Sequence, residues 1–232
     1  MKLVDKIAAT LAQLQEAVEL YPKLVFANSL GAEDMVLTDL IAKNSLSIRH
    51  FVLDTGRLPE ETYGLLDKLH DLYLIDLQVY FPDHSLVEEY VARHGINGFY
   101  RSVEERKGCC FVRKVEPLRR ALTGQSAWIT GQRREQNVTR SRLAACEWDD
   151  AHSMYKLNPL LEWRTADIWQ YLRENAVPYN PLHDRFYPSL GCAPCTRAVT
   201  PGEDLRAGRW WWENPENKEC GLHVASRMPG AA

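Results

Sequence analysis

The sequence contains no long hydrophobic run, and this absence excludes membrane-spanning proteins. No stretch approaches the roughly 18 continuous apolar residues that a membrane-spanning helix requires. Residues 1–22 are amphipathic and carry acidic side chains, so they lack the apolar core and the small-residue cleavage site of a secretion signal. We therefore expect a soluble, cytoplasmic protein with no membrane partner.

A large excess of charge of either sign is absent as well. The chain carries 28 Lys and Arg against 31 Asp and Glu, which gives a formal net charge of -3. We expect no nucleic-acid partner, and any recognition of phosphate must come from local clusters of cations. Internal repeats and low-complexity tracts are lacking, and 232 residues with 45% apolar content are typical of one globular domain.

The chain has six cysteines, and in a reducing compartment such thiols are more typical of metal binding or catalysis than of disulfides. Cys192 and Cys195 form a C-x-x-C turn, and Cys109 and Cys110 are adjacent. Together they supply four thiolates, the number taken by a structural zinc or by a [4Fe–4S] cluster. The spacing leaves zinc and cluster open, and a redox-active C-x-x-C pair is a third interpretation.

The two remaining cysteines differ from each other in their surroundings. Cys146 has no partner at a useful spacing and is predicted to be small core filler. Cys220 lies among charged and amide residues between Glu216 and His223, where no apolar period occurs. A place in the core is therefore excluded for Cys220, which leaves this thiol for other chemistry.

Strands alternate with helices along most of the chain. Apolar residues recur with helical spacing in residues 3–18, and further helices are predicted within 30–43, 56–73, 83–95, 102–124 and 165–176. Five strands are predicted within 23–29, 47–55, 75–82, 126–132 and 154–163. Asp83 or Ser85 is expected to cap one helix and Thr165 another, while Gly108 and Pro117 are expected to interrupt the helix at 102–124.

This alternation predicts a three-layer α/β domain with a mostly parallel five-stranded sheet. The proline-rich last quarter predicts an irregular C-terminal extension. We assign residues 1–200 to an α/β domain that binds nucleotide and the metal group, and residues 201–232 to a C-terminal segment with the catalytic cysteine.

Polar turns follow three of the predicted strands, at residues 28–34, 53–62 and 131–142. In a parallel sheet these turns lie at one edge, where ligands bind. The first turn leads into a helix N-terminus, whose N–H groups can hold phosphate. The third turn carries four arginines, which are Arg133, Arg134, Arg140 and Arg142. A solvated surface is the alternative for such a run, but three converging turns favour an anionic, nucleotide-like ligand.

Six motifs of this sequence occur together in a known family. They are GAED, LDTGRLPEET, CC-x-x-RK from Cys109 to Lys114, YPSLGCAPCTR, GRWWWE and KECGLH, in that order between about Leu24 and Met228. In this combination the chain resembles the assimilatory adenylyl-sulfate reductases, which group with the phosphoadenylyl-sulfate reductases and are distantly related to ATP pyrophosphatases. The resemblance implies a sheet of the adenine nucleotide α-hydrolase (PP-loop ATPase-like) type.

The resemblance also implies a cofactor and a nucleophile. It implies a [4Fe–4S] cluster on Cys109, Cys110, Cys192 and Cys195, and a catalytic thiol at Cys220. Cys220 would attack the sulfur of adenylyl sulfate and release AMP, and thioredoxin or glutaredoxin would then free sulfite from the S-sulfocysteine. The phosphoadenylyl branch usually lacks the cluster cysteines, so all four ligands favour adenylyl sulfate and a role in sulfate assimilation and cysteine biosynthesis.

Further residues match polar positions of the family motifs. Lys114, Arg206 and Arg209 are expected to neutralise phosphate and sulfate oxygens. His223 is expected to favour the thiolate or to dock the tail, with a plain surface histidine as the alternative. The other predicted substrate contacts are Ser29, Gly31, Ala32, Glu33, Asp34, Leu53, Thr55, Gly56, Arg57, Gly131, Arg133 and Arg140.

One position departs from the family pattern. The family often has S-F-S-G-A-E-D in the first turn, whereas this chain has NSLGAED, so Leu30 replaces a hydroxyl. This changes the phosphate contact expected next to Gly31. Glu33 and Asp34 are expected to be helix-dipole partners that orient the ribose or repel an added 3′-phosphate. The run Trp210 to Trp212 is expected to pack against the C-terminal tail.

Three other functions remain open from the sequence. The first is a phosphoadenylyl-sulfate reductase. The second is an adenylating or thiolating relative of the ATP pyrophosphatases, although SLGAED lacks the second Gly and the final Ser of S-G-G-x-D-S. The third is a non-enzymatic zinc module in which Cys220 is incidental. A homo-oligomer is compatible with each of these functions.

Overall fold

The computed structural model of the chain describes residues 1–136 and 143–214. The strands within this part are β1 Leu24–Ala27, β2 Arg49–Leu53, β3 Leu77–Tyr80, β4 Ala127–Ile129, β5 Cys146–Asp149 and β6 Met154–Leu157. They form one sheet in the order β3-β2-β1-β4-β6-β5, in which the β5–β6 pair is antiparallel and the other pairs are parallel. The mostly parallel α/β sheet is confirmed, but it has six strands where five were predicted.

Helices cover both faces of the sheet. They are α1 Leu3–Leu20, α2 Ala32–Lys43, α3 Glu60–Leu72, α4 His84–His94, α5 Val103–Cys110, α6 Glu116–Leu122 and α7 Thr165–Glu174. Asp83 caps α4 as predicted, because its side chain accepts a hydrogen bond from the N–H of Leu86. Thr165 is the first residue of α7 and Arg164 is its cap, so that predicted cap was wrong by one residue. In the described part of the chain, no helix is both long and apolar enough to span a membrane.

The central strands are buried on both faces, as expected for a parallel sheet between two layers of helices. Phe26 and Ile129 belong to a large core cluster on one face, together with residues of α1, α2, α3 and α7. Val25 and Trp128 belong to a smaller cluster on the other face, which α6 covers. Since β1 lies between β2 and β4, its neighbours fix the position of the turn that follows it.

The sixth strand, β5, is an edge strand that the sequence pattern did not indicate. Its residues alternate between exposed and half-buried, so neither face of the strand is buried. The side chain of Cys146 is exposed on this edge, and its Sγ lies 3.9 Å from the hydroxyl oxygen of Tyr21. The prediction of Cys146 as core filler was therefore wrong.

A π-helical segment, Phe111–Val115, joins α5 to α6 without a break. The predicted interruptions at Gly108 and Pro117 do not occur. Pro117 lies in the first turn of α6, directly after the wide π turn, and a proline is tolerated where its missing N–H is not needed. Such π turns are often found at functional sites, and this one follows the Cys109–Cys110 pair directly.

Burial of His50 on β2 generates a prediction about acid stability. The residue is 0% exposed, and neither ring nitrogen has a hydrogen-bond partner among the described residues. Burial lowers the pKa of His50 from 6.5 to about 4. Between those values the unfolded chain binds more protons than the folded one, so this residue makes the folded state more stable as the pH rises from 4 to 6.5.

We therefore expect the substitution His50→Leu to favour the folded state more at pH 5 than at pH 7.5. The free energy of unfolding of the variant relative to wild type should be about 1–2 kcal/mol higher at pH 5 than at pH 7.5, from about 1.4 kcal/mol per pKa unit. Urea unfolding at the two pH values measures this difference, and His70→Leu is the control because the His70 side chain is 89% exposed. A difference that does not change with pH would contradict the prediction.

Candidate active site

The carboxyl ends of β1, β2 and β4 open into one cavity of about 600 Å³, which we call the main cavity. All three predicted turns contribute to its wall. Gly56 and Arg57 do not line it, and Arg57 faces the cysteines instead. Predicted substrate contacts that do line it are Ser29, Gly31, Ala32, Glu33, Asp34, Leu53, Thr55, Gly131, Arg133, Arg206 and Arg209, together with the predicted catalytic Lys114. Arg140, Arg142, Cys220 and His223 lie outside the described residues.

The buried carboxylate of Asp34 fixes the turn after β1. The N–H and the hydroxyl of Ser29 donate hydrogen bonds to Asp34 Oδ2 at 2.6 and 2.5 Å. Leu30 has a left-handed backbone with a φ of 61°, and its side chain is 1% exposed within the core. Because that side chain packs beneath the turn, the loss of a hydroxyl at Leu30 removes no polar group from the described cavity wall.

The N-terminus of α2 is the polar feature that this turn presents. Its cap residue is Gly31, and no side chain caps the helix. The first N–H groups of a helix have no partner within the helix and attract anions. The wall of the main cavity therefore contains an anion-binding helix end at Gly31 and Ala32.

Glu33 and Asp34 do not place two full negative charges in the main cavity. Arg133 donates to Glu33 Oε1 from Nη2 at 2.7 Å and from Nε at 3.0 Å. Burial raises the pKa of Asp34 to about 7, although hydrogen bonds from Ser29 lower it. The expected repulsion of a 3′-phosphate by these two acids is consequently weak.

Arg133 holds the cavity wall together. Besides Glu33, its guanidinium donates to Glu135, to the carbonyl oxygen of Trp163 and to the hydroxyl of Thr165. The residue is 4% exposed. Since its N–H groups are engaged by protein, we expect Arg133 to fix the wall and not to bind the substrate directly, contrary to its predicted role.

Gly131 is required by close packing between the turns after β1 and β4. A Cβ atom at this position would overlap Asp34 Oδ1 and lie 3.0 Å from the Cβ of Glu33. The N–H of Gly131 also donates a hydrogen bond to Asp34. The glycine thus joins the two turns across the centre of the sheet.

Two polar residues in the main cavity had no signal in the sequence. Gln132 is 5% exposed, and its Oε1 has no partner among the described residues. The Nδ1 of His183 lies 2.8 Å from the carbonyl oxygen of Tyr187, which requires the proton on Nδ1 and leaves Nε2 as an unpartnered acceptor in the described part of the chain. Burial lowers the pKa of His183, which favours this neutral form. Both residues offer acceptors to a ligand with N–H or O–H groups.

The segment after residue 200 supplies cations to the same cavity. Arg206 and Arg209 line it, and Arg209 Nη1 donates to the carbonyl oxygen of Leu190 at 2.6 Å. A Cβ atom at Gly191 would overlap the Arg209 guanidinium, so a larger residue before Cys192 would require that guanidinium to move. Arg209 therefore lies next to the C-x-x-C turn.

The two cysteine pairs meet at a second, small cavity beside the main one, and we call this place the cysteine centre. Cys109, Cys110, Cys192 and Cys195 all line it. Lys114 lines both cavities and so lies between them. The other residues of the small cavity are Arg57, Phe99, Arg106, Arg113 and Pro194.

The thiols of the cysteine centre are held by polar contacts. The Thr55 hydroxyl oxygen lies 3.2 Å from Cys192 Sγ, and Arg113 donates to the Thr55 carbonyl oxygen at 2.8 Å and to Cys109. Burial raises the pKa of Cys192, but Lys114 and the Thr55 hydrogen bond outweigh it and the net shift is downward.

By residue type, the donor set of the cysteine centre suits a metal group. Four soft thiolates suit zinc or an iron–sulfur core, and either complex would carry a net negative charge that the neighbouring guanidinium and ammonium groups offset. Across residues 1–136 and 143–214, no three His, Cys, Asp or Glu side chains are close enough to hold a single metal ion.

Comparison with solved structures identifies the fold. The crystal structure of a phosphoadenylyl-sulfate (PAPS) reductase from Candida auris, in a phosphate complex, is similar with a TM-score of 0.71 and 30% identity, over 82% of this chain and 90% of that one. An FMN adenylyltransferase from Candida glabrata is similar with a TM-score of 0.61 and 17% identity, which shows a common fold alone. The predicted PP-loop-like sheet is confirmed.

Comparison with sequences identifies the family. The phosphoadenosine phosphosulfate reductase domain matches residues 23–198. The adenosine 5′-phosphosulfate reductase of Allochromatium vinosum is 55% identical over 99% of this chain and 91% of its own length. The enzyme of that name from Burkholderia cepacia is 52% identical over 97% of this chain and 89% of its own length. As its six motifs predicted, the chain belongs to the phosphoadenosine phosphosulfate reductase family.

Proposed function

We propose that this protein reduces adenosine 5′-phosphosulfate to sulfite and AMP in sulfate assimilation. Relatives of nearly full length bear the name of that activity. The structural observation that carries the proposal is the position of Lys114, which lines both the main cavity and the cysteine centre. The Lys114 side chain thus lies beside both a nucleotide-sized cavity and the four thiols.

The main cavity suits an anionic nucleotide. Its volume falls within the range of roughly 300–1,000 Å³ that is usual for small-molecule sites. The N-terminus of α2 can bind phosphate oxygens through main-chain N–H groups. Lys114, Arg206 and Arg209 line the same cavity and would offset the charge of the phosphate and sulfate groups.

The reaction needs a thiol nucleophile, for which we propose Cys220. Its thiolate attacks the sulfur of the substrate, the sulfur–oxygen bond to AMP breaks, and AMP leaves with the bonding electrons. The resulting S-sulfocysteine is then attacked by a thiol of thioredoxin or glutaredoxin, which releases sulfite and leaves a mixed disulfide. The second thiol of the reductant resolves this disulfide, so both electrons come from the dithiol. A reducing compartment such as the cytoplasm suits this step.

We propose that Cys109, Cys110, Cys192 and Cys195 hold a [4Fe–4S] cluster, on the ground of the six-motif resemblance. When bound, the cluster supplies a structural and electrostatic link between α5 and the C-x-x-C turn. Lys114 holds positive charge between the cluster ligands and the main cavity, while Arg113 orients Cys109 through its hydrogen bond. His223 is proposed to favour the Cys220 thiolate.

Replacement of the nucleophile should abolish turnover and leave binding intact. We expect Cys220→Ser to keep the brown colour of the proposed cluster and its affinity for AMP. It should make no sulfite, since a hydroxyl is a far poorer nucleophile near neutral pH. Wild type incubated with substrate and no reductant should release about one equivalent of AMP and gain the mass of one sulfonate on the peptide that holds Cys220.

Cys146→Ser is the matched control and should behave as wild type, because Cys146 is exposed on the opposite side of β6 from β4. Sulfite production by Cys220→Ser near the wild-type rate would contradict the mechanism.

Metal analysis should find iron and sulfide. We expect about four of each per chain in anaerobically purified protein, with the stoichiometry of a [4Fe–4S] centre. Cys110→Ser should lose the brown colour, whereas Cys146→Ser should retain it. One zinc per chain without iron would rule out the cluster.

The unphosphorylated nucleotide should be the preferred substrate. We expect kcat/KM to be at least about tenfold higher with adenosine 5′-phosphosulfate than with its 3′-phosphorylated form, a difference of about 1.4 kcal/mol in transition-state binding. Because Arg133 offsets the charge of Glu33, Glu33→Gln should change this preference little. Equal or better efficiency with the 3′-phosphorylated nucleotide would refute the substrate assignment.

A further inference from the structure

A buried ion pair ties the last described residues to the cysteine centre. Arg106 on α5 is 1% exposed, and its Nε lies 2.6 Å from Oε1 of Glu213, whose side chain is 5% exposed. The Arg106 guanidinium also donates a hydrogen bond to the thiol of Cys110. One side chain therefore contacts both a residue of the cysteine centre and Glu213.

Trp210 strengthens this connection. Its ring is 1% exposed and lies between two guanidinium groups, with the Arg106 Cζ 4.5 Å and the Arg209 Cζ 4.7 Å from a ring centroid. The backbone N–H of Trp210 donates to the carbonyl oxygen of Cys195 at 3.1 Å, and the backbone N–H of Glu213 donates to the carbonyl oxygen of Trp210 at 2.8 Å. The C-x-x-C turn is thus hydrogen-bonded to Trp210 directly, and Cys110 is connected to Glu213 through Arg106.

The backbone of this segment is also constrained. Trp210 has a φ of 40°, a left-handed conformation that a bulky residue adopts only when its surroundings enforce it. The two cation–π contacts and the buried pair provide that enforcement. Trp210 therefore packs against Arg106 of α5, while the tail contact expected from the sequence involves residues outside the described part of the chain.

We propose that Arg106 is a positioning residue for the reaction, which acts through Glu213 to fix the starting point of the segment that carries Cys220. The inference rests on the proposed role of Cys220 as nucleophile. Cys220 follows Glu213 by seven residues in the sequence, and an extended chain spans about 3.3–3.6 Å per residue. The position of Glu213 thus limits where the thiol can go.

Fixing that starting point matters because the thiolate must approach the substrate sulfur in one geometry. Anchoring a reactive group raises its effective concentration near its target, and small displacements can cost large factors in rate. The ion pair also connects the segment that carries Cys220 to the cysteine centre. Loss of the Glu213 charge would remove the carboxylate partner of Arg106, so residue 213 would no longer be held in one position.

The test compares Glu213→Gln with wild type in single-turnover reactions without reductant. Glutamine keeps the shape of the side chain but removes its charge, and residue 213 does not line the small cavity of the cysteine centre. We expect the rate of AMP release and of Cys220 sulfonation to fall about tenfold. Iron content, AMP affinity and the rate of Cys220 alkylation by iodoacetamide without nucleotide should not change. Glu213→Asp, which keeps the charge, should recover part of the rate.

Glu203→Gln is the matched control. It breaks the Arg197–Glu203 pair of the same C-terminal region, which is 39% and 32% exposed, and exposed pairs contribute little. Its single-turnover rate should equal that of wild type. A wild-type rate in Glu213→Gln, or loss of iron from that variant, would overturn the inference. Failure of wild type to form an adduct on Cys220 would instead contradict the proposed function, and the inference with it.

Discussion

The main cavity depends on a reversal of strand order between β1 and β4. From β1 the chain builds the sheet outward through β2 and β3, and it then returns to place β4 on the other side of β1. The turns after β1 and β4 consequently meet where the strand order reverses, which is where ligands bind in open α/β sheets. Asp34 holds this crevice in shape because it accepts hydrogen bonds from Ser29 on one side and Gly131 on the other.

The chain concentrates positive charge locally although its net charge is -3. Arg206 and Arg209 come from the C-terminal region and Lys114 from the π segment, so elements distant in sequence bring their cations to one cavity. Arg57, Arg106 and Arg113 surround the cysteines next to it. A dianionic substrate and a set of thiolates can therefore lie close together without strong mutual repulsion.

The parts of the fold that the sequence predicted are those with a strong local signal. The central strands β1, β2 and β4 had short apolar runs because they are largely buried, and the four cysteines had recognisable spacings. β5 had no such signal, since neither of its faces is buried. The partner of Glu33 could not be predicted either, because Arg133 lies 100 residues away and only the packing of the two turns brings them together. Gln132 and His183 are functional candidates only because burial leaves an acceptor on each without a described partner.

The π segment between α5 and α6 has a consequence for sequence change in this protein. A π turn contains one residue more than the α turn it replaces, and each residue of an α-helix rotates the next by about 100°. Deletion of one residue between Phe111 and Val115 would restore a regular helix, and the flanking helices would keep their phase. The residues within the turn would instead shift around the helix axis, Arg113 and Lys114 among them. Both the length of this segment and the identity of these two residues are therefore constrained.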